Sequence, residues 1–140
     1  MQNFKSQEIE TLYLMHAFDL LKMANDLEIP NFIGVFPLDK LPKSLRAPSN
    51  FIVNTHTNNL PGEHWLAISY RGRSNGCYVF DSFGRYYPNM LRTYLHKHCS
   101  SSGDVHYNSI QFQDYWERTC GHFCIAWLIY INGGGETFVH

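Results

Sequence analysis

The sequence has no run of about 18 apolar residues, the least that crosses a bilayer as a helix. Its longest such run, Phe123 to Ile131, suits a packed helix instead. It also lacks an excess of charge: 11 Lys+Arg stand against 12 Asp+Glu, a net charge of −1. No strong attraction to nucleic acid or to an anionic membrane follows, and no membrane partner is expected. Charged residues are only 16% of the chain and hydrophobic ones 44%, which excludes general disorder. Cysteine is scarce, and Cys77, Cys99, Cys120 and Cys124 contain no C-x-x-C pair, the common spacing of zinc and dithiol sites. The opening residues, Met1 to Glu10, have no apolar signal-peptide core. A reduced, intracellular domain without a disulfide framework is therefore expected. There is no internal repeat, no low-complexity tract and no phosphate-cradling glycine loop.

What is present fits one domain over residues 1–140. Ile9, Leu12, Tyr13, His16, Leu20 and Met23 recur near a 3.6-residue period, which predicts a helix over 6–27. Strands are expected over 31–36 and 51–55. A hairpin follows, with Trp65–Tyr70 and Cys77–Asp81 joined by a loop holding the Asn75-Gly76 turn signal. Pro88 opens a helix running to Cys99. Val105, Tyr107 and Phe112 mark a strand ending near Gln113, and residues 120–131 a nearly continuous apolar helix stopped by Gly133-Gly134-Gly135. The expected fold is α+β: a small, mainly antiparallel sheet with flanking helices and one helix buried centrally.

The chemistry starts at the hairpin. If Tyr70 faces Cys77, Asp81 faces Leu66, and His64 lies one diagonal step from Asp81, roughly 7–8 Å between backbones. A carboxylate that orients an imidazole is the base half of a nucleophilic triad. The plain alternative is that both residues merely flank a strand. Cys120 precedes Gly121 and opens a helix, where the helix dipole favours thiolate and backbone N–H groups can hold an oxyanion. The alternative is an inert buried thiol. Gly121 would let a substrate carbonyl approach the backbone. Gln113 could donate its amide to the same oxyanion, or it is an ordinary surface glutamine. Cys124, among Phe123, Ile125 and Trp127, reads as core. His96, His98, Cys99 and His106 make a poor zinc set because they straddle a helix end, so no metal is expected. Lys40, Lys43 and Arg46 read as a solvated basic loop.

In order, His64, Asp81, Gln113 and Cys120 resemble the adenovirus protease (adenain) family, within the wider group holding the Ulp/SENP proteases. The matching stretches are N-F-I-G-V-F (31–36), F-I-V-N-T (51–55), G-E-H-W-L-A (62–67), C-Y-V-F-D-S-F-G (77–84) and T-C-G-H-F-C (119–124). The resemblance implies a papain-like or adenain-like core and a cysteine endopeptidase that matures viral precursor polypeptides in the virion and host-cell nucleus. It assigns His64 as base, Asp81 as its orienter, Cys120 as nucleophile and Gln113 to the oxyanion hole. The acid is Asp here, where adenovirus enzymes commonly carry Glu. No cofactor is implied, but a short activating peptide and DNA are. The charge of −1 argues against DNA. Cys99 is the candidate thiol for the peptide, at a spacing that fits poorly. The sequence ends 20 residues after Cys120, without the long C-terminal helical part of adenovirus enzymes.

The family's preference for cleavage after Gly also fits Ile131-Asn132-Gly133-Gly134-Gly135. Trimming between Gly134 and Gly135 is one expectation, and a plain helix stop with a loose tail the other. Two further functions stay open on the residues alone. One is a protease for ubiquitin-like modifiers, which turnover of a modifier fusion would reveal. The other is a non-catalytic binding module on the same fold, marked by an unreactive Cys120.

Overall fold

The computed structural model describes residues 6–55, 64–82, 88–99, 105–108 and 120–133; for 6–15 and 120 it describes the backbone alone. Among these, the order is α1 (Ser6–Asp26), β1 (Phe32–Pro37), a 3-10 turn (Leu38–Lys40), β2 (Ser49–Asn54), β3 (Trp65–Tyr70), β4 (Cys77–Phe80), α2 (Asn89–His98), β5 (Val105–Tyr107) and α3 (Cys120–Asn132). The five strands form one sheet in chain order. β1 runs parallel to β2, β2–β3 and β3–β4 are antiparallel, and β5 returns parallel to β4. The α+β class stands, but the sheet is mixed rather than mainly antiparallel. Antiparallel neighbours announce themselves through a short turn, whereas parallel ones need a crossover that leaves no local signal.

The hairpin pairs Tyr70 with Cys77 and Ala67 with Phe80, the register that the turn predicts. Its loop is closed by the Arg71 N–H donating to the Gly76 carbonyl at 2.9 Å, and Gly76 adopts φ +98°, where a side chain would be strained.

Period-two alternation in the central strands fills two cores. Phe51, Val53, Leu66, Ile68, Tyr70 and Val79 point to one face, where Leu91 and Leu95 of α2 cover them. Ile52, Trp65, Ala67 and Phe80 point to the other, under Leu20 and Ala24 of α1 and Cys124, Ile125 and Leu128 of α3. α3 is thus not buried centrally. It packs on β3 along one side and exposes Ile129 (43%) and Tyr130 (55%) on the other. Its unbroken apolar run hides this amphipathic use.

Three contacts orient α3. The Cys124 thiol donates to the Trp65 carbonyl at 3.3 Å, Trp127 stacks on Phe80 with centroids 5.5 Å apart, and Arg71 Nη2 donates to the Ile131 carbonyl at 3.1 Å. The helix therefore starts beside the beginning of β3 and ends beside its close. The arginine there satisfies a carbonyl that the helix end leaves open. Asn132 is tied to Asn50 by reciprocal side-chain bonds of 3.1 and 3.2 Å. Ile131 and Asn132 are therefore folded into α3; cleavage after Gly134 would require its last turn to unwind. Gly134 and Gly135 themselves lie outside the described residues.

The described part of β5 covers Val105–Tyr107, and residues 109–113, where the strand is expected to end, lie outside the described residues. One further expectation changes. Cys77 and Cys99 are bonded as a disulfide across 22 residues, with Cα atoms 6.8 Å apart, against the expectation of a fully reduced domain. The cause is three-dimensional: α2 folds back over the sheet and brings its C-cap Cys99 to the first residue of β4. Cysteine spacing alone does not carry that information.

Candidate active site

His64 immediately precedes β3 and Asp81 immediately follows β4, so the antiparallel pair brings both to one end of the sheet. There His64 Nε2 meets Asp81 Oδ1 at 2.6 Å, with the two side chains only 15% and 5% exposed. A contact this short in a mostly dry setting holds the ring in one orientation. Because Nε2 is engaged by the carboxylate, the nitrogen through which the ring exchanges a proton with another group is Nδ1. That atom is buried.

Each member of the pair is anchored from the strand next to its own. Thr55, just past β2, donates its backbone N–H (2.9 Å) and its hydroxyl (3.2 Å) to the His64 carbonyl. On the far side Asn108, just past β5, accepts the Asp81 N–H at its Oδ1 (2.8 Å) and donates from Nδ2 to the Asp81 carbonyl (2.7 Å). Sequence reasoning gave neither residue a role. An Asn after a three-residue strand has no motif, although Asn is a residue type whose side chain readily hydrogen-bonds main-chain groups.

Cys120 is the first residue of α3, whose start lies at the same end of β3 as His64. Its side chain lies outside the described residues, and Gln113 lies outside them altogether. Gly121 has a packing reason besides any approach of substrate. A Cβ built there would sit 2.8 Å from Leu20 Cδ2, so glycine lets α1 close against the start of α3. Cys124 is fully buried, as its apolar neighbours suggest.

A cleft of about 610 Å³ opens at this junction, lined by His16, Asp19 and Met23 of α1 and by Trp65, Gly121 and His122. It adjoins the residues next to His64 and Cys120. Trp65 gives this cleft an aromatic wall, and the wall opposite is the charged helix α1. Asp26 on that helix pairs with Lys22 at 2.8 Å and holds its ammonium above its ordinary pKa, chiefly through that hydrogen bond.

Among the described residues no three His, Cys, Asp or Glu side chains group to hold a metal ion, and Cys99 is bonded to Cys77. That bond also engages the thiol suggested for an activating peptide. No described helix is long and apolar enough to cross a membrane.

Comparison with known proteins agrees with the hairpin and helix-start pattern. The family model of the adenovirus endoprotease matches residues 32–132, from the start of β1 to the end of α3. The chain belongs to that family. The protease of human adenovirus E serotype 4 is 47% identical over 58 residues, and that of porcine adenovirus A serotype 3 is 41% identical over 71. These matches cover 39% and 47% of this chain but only 28% and 33% of the relatives. The chain thus aligns with about a third or less of the length of these curated proteases. Among solved structures, the ASFV pS273R protease superposes with a TM-score of 0.43 at 15% identity, covering 74% of this chain and 51% of that one.

Proposed function

We propose that this chain is the core of a viral cysteine endopeptidase that cuts precursor polypeptides after glycine during virion maturation. The observation that carries the reading is the buried His64–Asp81 pair, 2.6 Å apart, at the sheet end where a helix opens with Cys-Gly. Family membership supports it.

In this mechanism Asp81 orients His64, and Nδ1 takes the proton from the Cys120 thiol. The positive end of α3 favours the thiolate. Sulfur attacks the peptide carbonyl carbon, and the carbonyl oxygen becomes an oxyanion held by the Cys120 N–H and the Gln113 amide. As the intermediate collapses, the C–N bond breaks and His64 gives its proton to the leaving amine. His64 then takes a proton from water, hydroxide adds to the thioester, and the acid product leaves with the thiol restored. Every role is filled by the chain, so the reading calls on no metal or organic cofactor. An activating peptide remains a partner in this reading, though not through Cys99 while that residue is bonded to Cys77. DNA activation is set against by the net charge of −1. The virion and host-cell nucleus are the places of action that the reading implies.

The test is turnover of a peptide ending in Gly-Gly before a reporter amine. Wild type should release the reporter and Cys120→Ala should not. A wild-type chain silent with and without added peptide and DNA would overturn the reading.

A further inference from the structure

We propose that Asn108 is a positioning residue that holds Asp81 in line with His64, its carboxamide binding both main-chain polar groups of Asp81. The idea rests on the proposed function, since it concerns the orienting acid of that site.

β4 and β5 pair in parallel, Cys77 with Val105, Tyr78 with His106 and Val79 with Tyr107. Asp81 lies one residue past β4, and across from it stands Asn108, one residue past β5. Its Oδ1 takes the Asp81 N–H at 2.8 Å and its Nδ2 donates to the Asp81 carbonyl at 2.7 Å, so one side chain binds both polar groups of the residue. Asn108 is 2% exposed and Asp81 4%, so water does not replace these bonds readily. A planar carboxamide is the group that offers a donor and an acceptor side by side; Leu has neither and Ser has one hydroxyl.

The consequence for His64 is geometric. Asp81 reaches Nε2 at 2.6 Å from the residue that follows a four-residue strand. With both its main-chain groups held by Asn108, fewer torsions set where the carboxylate lies. Loss of this two-bond clamp lets the end of β4 shift, and an ångström of movement is enough to lose a contact of this length. His64 is braced separately by Thr55, so the two anchors act from opposite strands on opposite partners.

The experiment compares Asn108→Leu and the milder Asn108→Ser with wild type and Asp81→Asn. Two quantities are read: the titration of the His64 ring by NMR, and the steady-state constants on the Gly-Gly peptide. Thermal melting at the working temperature confirms that each variant is folded. The His64 titration midpoint should move at least half-way toward that of Asp81→Asn in the Leu variant, and part of the way in the Ser variant. kcat should fall about tenfold with KM little changed, and adding Asn108→Leu to Asp81→Asn should cost little more, because residues acting through one group are not additive. A folded Ser or Leu variant whose His64 titrates as in wild type overturns the proposal, and so does a full further loss in the double variant. If wild type has no peptidase activity but Asn108→Ser still moves the His64 titration, the clamp stands and the proposed function falls.

Discussion

Behind the sheet, α2 lays Leu91 and Leu95 onto Phe51, Val53, Leu66, Ile68 and Val79, and the Cys77–Cys99 bond ties its end to β4. In front, α1 and α3 share the covering and leave a cleft between them, at the start of the helix that carries the proposed nucleophile. The first face is a closed apolar layer with one covalent tie. The second tolerates an opening, charged walls and an exposed helix side. The comparison teaches that stability and chemistry are divided between the faces of one sheet, while His64 and Asp81 sit at the strand ends common to both.

Four changes test that division. The largest effect is expected behind the sheet: Leu91→Ala empties a fully buried site and should lower stability by about 2–5 kcal/mol, read as a shift in chemical denaturation midpoint. The folded fraction should keep the wild-type kcat; a large loss of kcat per folded molecule would blur the two faces. Next, reduction of Cys77–Cys99, or Cys77→Ser, should cost about 2–4 kcal/mol by releasing a 22-residue separation in the unfolded chain. Activity well below the melting temperature should again survive. In front, Gly121→Ala sets a methyl against Leu20 and should cost about 1–3 kcal/mol, but here kcat should fall with stability because the start of α3 moves. An unchanged kcat would uncouple that helix start from the site.

The smallest effect concerns pH. Burial, then the charges of Lys97 and Arg73, lower the His98 pKa from its ordinary 6.5. The unfolded chain therefore binds this proton more tightly. The contribution to stability is present above about pH 6.5 and is lost as pH falls through the lower folded value. His98→Gln should flatten the slope of melting temperature against pH in that window and leave it unaltered above pH 8. A slope that stays the same would remove His98 from the account.

The residues explain what could be read in advance. The Arg71–Gly76 loop and the alternation on either side specify the hairpin register, and with it the approach of His64 to Asp81. Pro88 before α2 and the apolar spacing of residues 9–23 mark their helices because those signals are local. Parallel pairing of β1 with β2 and of β4 with β5 depends on chain that returns from far away, and alternation identifies a strand without naming its neighbour. Asn108 was illegible for the same reason: its partner is 27 residues distant and meets it through the backbone, which any residue at position 81 would offer. The half-exposed seating of α3 was hidden because Ile129 and Tyr130 are as apolar as the buried Ile125 and Leu128.

The central claim is that the front face presents an activated thiol at Cys120 under the control of His64. The most direct measurement is the rate at which iodoacetamide alkylates Cys120 from pH 5 to 9, located by peptide mass spectrometry, in wild type and in His64→Ala. Cys124 serves as an internal control because it is fully buried. Fast alkylation of Cys120 that persists well below the ordinary thiol range near pH 8.5 and is lost in His64→Ala is the predicted result. Alkylation that rises only with ordinary thiol ionisation, equally in both proteins, would contradict it.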